Sequence, residues 1–172
     1  MDNVALPSHI ILIGPMGAGK TTIGRGVSQT LGLPFLDSDV EIERREGTTG
    51  ASIADRHGVD RLHEVELEVF LSLATASDPA IICPAQSVID STEGRAELAS
   101  HATIWLDADH ETLLARTAGG GHRREMDPNE FTERRKARAS HLEAVSLARL
   151  DTTSRSVDEC VDDVCRRFGV RP

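Results

Sequence analysis

Lysine is nearly missing from this chain: Lys20 and Lys136 are the only two among 19 basic residues. Arginine carries the general positive charge, so a lysine that persists, Lys20 above all, calls for a specific reason. Aromatic side chains are also scarce, with Trp105, four phenylalanines and no tyrosine. That scarcity removes the stacking platforms of a single-stranded nucleic-acid binder. A basic excess is absent too. The net charge is −9 and the acidic residues are spread along the chain, which opposes binding to nucleic-acid phosphates or anionic lipid surfaces. A local basic pocket for a small anion remains compatible with this balance. Cys83, Cys160 and Cys165 are odd in number and irregularly spaced, which excludes a disulfide framework or a thiolate metal site. No apolar run spans a bilayer, since Ile10 to Ile13 is far too short. Met1 to Ser8 lacks the basic start and apolar stretch of a signal peptide. Reduced thiols, a cytoplasmic setting and no membrane or nucleic-acid partner are therefore expected.

A length of 172 residues fits one compact domain spanning 1–172. A monomer is expected, with a homodimer left open. His9 to Ile13 is a continuous apolar run broken at Gly14, as in a buried parallel strand, and from Thr22 the apolar residues Ile23, Val27 and Leu31 recur at helical spacing. Gly32 and Pro34 end that helix, and Phe35 to Leu36 predicts a short second strand delivering Asp37 and Asp39 at its carboxyl end. Helices are predicted over Val40 to Glu46, Ile53 to His57, Asp60 to Thr75, Gly94 to Ala99, Glu111 to Arg116, Asn129 to Leu147 and Val157 to Phe168. Strands are predicted at Ala80 to Cys83, Ala102 to Leu106 and Arg149 to Asp151. The alternation of strand and helix implies a parallel sheet in an α/β fold. The stretch at about 117–130 holds three consecutive glycines, two arginines and a proline, the composition of a mobile lid.

Gly14-Pro-Met-Gly17-Ala18-Gly19-Lys20-Thr21 follows the first strand and opens the first helix. Glycines at those spacings let backbone N–H groups curl around phosphate oxygens, and the following helix N-terminus adds its dipole. Lys20 supplies a point charge to the β and γ phosphates, and the Thr21 hydroxyl a ligand to a bridging Mg2+. No Asn-Lys-x-Asp guanine-reading sequence occurs, so ATP is the expected nucleotide. Metabolite or nucleotide phosphoryl transfer is the function class indicated.

The run from Gly14 to Arg25, followed by Phe35-Leu-Asp37-Ser-Asp39 and on to Gly47, closely resembles the shikimate kinase family, and the likeness is traceable over nearly the whole chain. It implies a three-layer α/β/α fold with a five-stranded parallel sheet, of nucleoside-monophosphate-kinase type. It also implies roles. Gly14, Gly17, Ala18, Gly19, Lys20, Thr21 and Thr22 match the ATP phosphate site, with Arg116 and Thr153 on the adenine side. Asp37 matches the carboxylate that joins Thr21 at Mg2+. Asp39 matches the carboxylate that orients the acceptor hydroxyl and takes its proton; its position after a strand is also that of a helix cap. Arg123 matches the lid arginine that stabilises transition-state charge, although Arg124 beside it departs from the family pattern and competes for the role. Arg138 matches the helix arginine that holds the substrate carboxylate.

Two departures fall in the acceptor pocket. The family's Phe-Arg pair appears as Leu62-His63, with Glu66 one turn later in the place of the acid that orients the arginine. A histidine does not replace a two-pronged guanidinium. Arg61 is no substitute, because two residues along a helix turn it away from the face of His63 and Glu66. The family's triple glycine after the third strand is Pro84-Ala85-Gln86, which removes a backbone donor and adds side chains. Gln86 is either an amide that reads a substrate hydroxyl or part of a turn. Ala85, Gln86 and His63 join Asp39 and Arg138 as the expected substrate-binding set. The expected acceptor is shikimate or a related polyhydroxylated ring acid. A different cyclitol or sugar-type metabolite, or a nucleotide-binding module without catalysis, are the alternatives.

Overall fold

The computed structural model describes residues 9–118 and 127–169. Five strands, β1 (His9–Ile13), β2 (Phe35–Asp37), β3 (Ala80–Cys83), β4 (Ala102–Asp107) and β5 (Ala148–Asp151), form one sheet in the order β2-β3-β1-β4-β5, every neighbouring pair parallel. Parallel pairing sends all five carboxyl ends to one rim. The strand order reverses around β1, and the crevice outside the carboxyl ends at such a point is where open α/β sheets bind ligands.

Successive residues of a strand point to opposite faces, and β1 and β4 divide accordingly. Ile10, Leu12, Ile104 and Leu106 pack with Ile23 and Val27 of α1 (Lys20–Leu31), Leu113 of α6 (His110–Thr117), and Val161, Val164 and Cys165 of α8 (Val157–Arg167). Ile11, Ile13 and Trp105 face the other way. They pack with Phe70 of α4 (Val59–Ala74), Leu98 of α5 (Thr92–Ser100) and Leu142 of α7 (Pro128–Val145). A third cluster, Ile42, Ile53, Val65 and Val69, ties α2 (Ser38–Glu46) and α3 (Gly50–His57) to α4 beside the rim. Three layers around a five-stranded parallel sheet are what the family resemblance implies.

Caps explain where the helix boundaries differ from periodicity. α2 starts at Ser38 rather than near Val40, because the Asp37 carboxylate accepts the Asp39 N–H at 3.0 Å. The cap is therefore Asp37, and Asp39 sits inside the first turn. α3 starts at Gly50 because the Thr49 hydroxyl accepts from the Ser52 N–H at 3.2 Å. After β3, Gln86–Asp90 winds into a 3-10 turn that periodicity does not mark. Buried Asp107, at the end of β4, is held by Arg135 of α7 at 2.9 Å and by Arg149 of β5 at 2.7 Å. Two guanidiniums compensate a carboxylate that burial alone would disfavour.

Candidate active site

The phosphate loop runs from the end of β1 into α1. Gly19 caps α1 with φ 90° and no side-chain bond, a conformation natural to glycine that leaves the first N–H groups of the helix uncovered by a cap side chain. Gly14 lies so close to β4 that a Cβ there would stand 2.0 Å from the Leu106 carbonyl oxygen. The Lys20 ammonium donates to the Gly14 carbonyl at 2.7 Å and the Pro15 carbonyl at 3.1 Å, which folds the side chain back over its own loop. Ala18 is buried and its N–H closes the loop on the Pro15 carbonyl at 3.2 Å. Thr22 is exposed on the first turn of α1. Beneath the loop, the Cys83 thiol donates to the Lys20 carbonyl at 3.4 Å, and burial pushes that thiol far up, so it stays protonated.

Thr21 and Asp37, sixteen residues apart, meet at the rim. The Thr21 hydroxyl donates to Asp37 Oδ2 at 2.9 Å, while Oδ1 accepts the Asp39 N–H at 3.0 Å. One carboxylate thus fixes both the threonine and the turn that presents Asp39. Asp39 is half-buried in that turn.

Beside the phosphate loop, Arg116 Nη1 donates to the Gly17 carbonyl at 3.3 Å and the Thr152 hydroxyl at 3.0 Å, and Nη2 to the Thr152 carbonyl at 2.8 Å. Thr152 is buried and bonds the Ala18 carbonyl at 3.3 Å. The phosphate loop, α6 and the loop after β5 are thereby linked. Thr153 donates to Asp151 Oδ1 at 2.6 Å and accepts the Asp109 N–H at 2.9 Å. Bonds from the Thr153 hydroxyl and N–H hold the Asp151 carboxyl below its usual range. The sequence resemblance points to Arg116 and to the loop from Asp151 to Thr153, within which buried Thr152 is the residue that bonds Arg116.

A second cluster of polar side chains is built from α4, the 3-10 turn and α7. Arg138 Nε donates to Asp90 Oδ1 at 2.9 Å, Nη2 donates to Asp90 Oδ2, and Nη1 reaches Gln86 Oε1 at 3.4 Å. Its side chain is 12% exposed against 47% for Asp90. The Gln86 amide nitrogen is buried with no hydrogen-bond partner among the described residues. Gln86 therefore belongs to a turn, and its side chain reaches Arg138. His63 is half-buried, and burial first, then the Arg138 charge, hold its pKa below the ordinary 6.5, so it is neutral near pH 7. Glu66 accepts the Ser87 hydroxyl, and burial raises its carboxyl above the usual range against the pull of Ser87 and Arg138. In the place where the resemblance implies an acid that orients an arginine, Glu66 holds Ser87. Ala85 is half-buried and extended, ahead of the turn. Arg61 pairs with Glu64 at 2.9 Å, away from this cluster as its helical position predicts. Beside Arg138 and Asp90 lies a cavity of about 340 Å3, lined also by Arg134, Ala137 and His141. Arg123, Arg124 and the glycines of the predicted lid lie outside the described residues. The pairing of Asp90 with Arg138 has no precedent in the sequence reading.

Comparison with known proteins bears on this geometry. The shikimate kinase family model matches residues 16–168. A shikimate kinase of Symbiobacterium thermophilum is 34% identical over 170 residues, covering 95% of this chain and 97% of the relative. One from Bradyrhizobium diazoefficiens is 33% identical over 161 residues, covering 89% and 77%. The solved shikimate kinase of Acinetobacter baumannii in complex with shikimate superposes with a TM-score of 0.87 at 28% identity, over 95% of this chain and 93% of that one. A deoxyadenosine kinase from M. mycoides, 15% identical with a TM-score of 0.65, shares the fold alone. With its phosphate loop, its Thr21–Asp37 pair and its parallel sheet, the chain belongs to the shikimate kinase family, ATP-dependent phosphotransferases that act on a hydroxyl group.

Proposed function

We propose that this chain transfers the γ-phosphoryl group of ATP to a hydroxyl of shikimate or a related polyhydroxylated ring acid, as a step in aromatic amino-acid biosynthesis. The observation that carries this reading is the meeting of Thr21 and Asp37 at 2.9 Å beside the phosphate loop, with Asp39 presented in the adjoining turn. Lys20 and the first N–H groups of α1 neutralise and orient the phosphates. A hydroxyl and a carboxylate are hard oxygen donors, and among the described residues there is no group of three or more His, Cys, Asp or Glu side chains to cage a metal. That donor set fits Mg2+, which takes few protein ligands and completes its shell with water and substrate phosphates. Thr21 and Asp37 would hold it, and it would supply charge neutralisation across the β and γ phosphates.

Asp39 accepts the proton of the attacking hydroxyl as the new O–P bond forms and the bond to the ADP oxygen breaks. Arg138 stands on the acceptor side, and Arg123 is assigned transition-state charge on the resemblance alone. Arg116 and Thr153 shape the base side. Three buried, unpaired thiols, Cys83, Cys160 and Cys165, support a reducing, cytoplasmic setting. No helix among the described residues is long and apolar enough to cross a membrane. A different cyclitol or sugar-type acceptor is the second reading, favoured by neutral His63 in place of a guanidinium and by the open amide nitrogen of Gln86. Expression in a shikimate-kinase-deficient strain tests the first reading: growth without aromatic supplements is expected. No growth from well-expressed, folded protein moves the assignment to the second.

A further inference from the structure

All three nitrogens of the Arg138 guanidinium are engaged within the protein, two by the Asp90 carboxylate and one by Gln86 Oε1. Paired, charge-assisted bonds of this kind are the strongest an arginine makes, and they are the same bonds it would offer a substrate carboxylate. Arg134, the other arginine lining the adjoining cavity, is turned to Glu130. The same pocket offers groups suited to hydroxyls: the buried Gln86 amide nitrogen, without a partner among the described residues, and the His63 ring. We propose that Asp90 is a specificity-determining residue: it occupies the Nε and Nη2 edge of Arg138 with a carboxylate of the protein's own, so the acceptor site gains less from a carboxylate on the acceptor. This rests on the acceptor site assigned above and names what that site selects.

An arriving carboxylate must displace Asp90 to gain the paired Nε and Nη2 bonds; beside Asp90 only one further N–H on each of Nη1 and Nη2 is left to it. A fork closed in about nine molecules of ten weakens the apparent affinity for an anion about tenfold relative to an open one. Asp90 is 47% exposed, so replacing it leaves no cavity in the core.

The test compares shikimate with its uncharged primary carboxamide as acceptors, in the wild type, Asp90→Asn and Asp90→Glu. The wild type is expected to favour the acid by about tenfold or less in kcat/KM. Asp90→Asn is expected to raise the acid-to-amide ratio about tenfold, and Asp90→Glu to keep it near the wild-type value. A wild type that prefers the acid a thousandfold overturns the proposal, as does a ratio unmoved by Asp90→Asn. A purely structural Asp90 moves both acceptors together. Calorimetric titration of shikimate into the ADP-bound protein reads the same pair without chemistry. If neither acceptor turns over, the assigned activity fails, yet about tenfold tighter shikimate binding by Asp90→Asn still upholds the role of Asp90. Equal affinities, or no binding by either protein, overturn it.

Discussion

Replacing His63 by arginine restores the donor that the acceptor pocket lacks. His63 sits in α4 where Arg138, Asp90 and Asp60 act on its charge, and burial with Arg138 keeps it neutral. A neutral imidazole offers a substrate carboxylate one hydrogen bond to a charged acceptor, worth about 1.5 to 3 kcal/mol net. A guanidinium offers charge-assisted bonds of about 1.5 to 3 kcal/mol each, in a paired geometry. Two such bonds exceed the single histidine bond by about 1.5 to 3 kcal/mol. Desolvation at a half-buried position and repulsion from Arg138 oppose this, and Asp90 and Glu66 offset part of the repulsion. A net gain of about 1.4 kcal/mol corresponds to a tenfold change. His63→Arg is therefore expected to lower the KM for shikimate about tenfold, with the KM for ATP unchanged, because the nucleotide is bound at the phosphate loop. The assay is coupled ADP formation at saturating ATP over a range of shikimate concentrations. An unchanged or higher KM for shikimate, in a variant with wild-type melting temperature and ATP KM, refutes the reasoning.

Gly14→Ala places a methyl 2.0 Å from the Leu106 carbonyl oxygen, a backbone atom that cannot turn aside, so the phosphate loop must move. ATP binding measured by calorimetry should be lost, and retention of wild-type affinity counts against the loop assignment. Arg116→Ala removes the ties to Gly17 and Thr152; because Arg116 is exposed, about 1.5 kcal/mol is the expected loss. That is about a tenfold rise in the KM for ATP, and a change in the acceptor KM instead contradicts the placement. The pKa of His63 is depressed in the folded state, so the unfolded chain binds its proton first and stability falls as pH drops below 6.5 toward the folded value. Glu66, with a raised pKa, works in the opposite sense, losing stability as pH rises through its own range. The fall in melting temperature from pH 7 to pH 5.5 should accordingly be smaller in His63→Gln; an identical fall removes His63 from the effect.

Strand β3 was readable to the residue, because Pro79 stops the chain before it and the apolar run ends at Pro84. The phosphate loop was readable because its chemistry needs particular residues at fixed local spacing. Local chemistry also misled: two acids after β2 look alike in sequence, and only the Thr21 and Asp39 bonds show that Asp37 is the cap. What stayed hidden was long-range. Asp90 meets Arg138 across 48 residues, and Ser87 meets Glu66 across 21. Neither pair has a periodicity or motif, since packing of α4, the 3-10 turn and α7 decides it. The same holds for Asp107, whose two arginines come from α7 and β5. The departures at His63 and Pro84-Ala85-Gln86 are visible in the sequence, but the bond between Asp90 and Arg138 beside them is not.

Phosphoryl transfer itself is tested most directly by phosphorus NMR of a reaction containing the protein, ATP, Mg2+ and shikimate, run beside Lys20→Ala. ADP and a phosphate ester on a ring hydroxyl should appear in equal amounts with the wild type and be absent with the variant. Tight ATP binding with no ester on shikimate or any uncharged ring polyol, or an ester that persists in Lys20→Ala, contradicts the assignment.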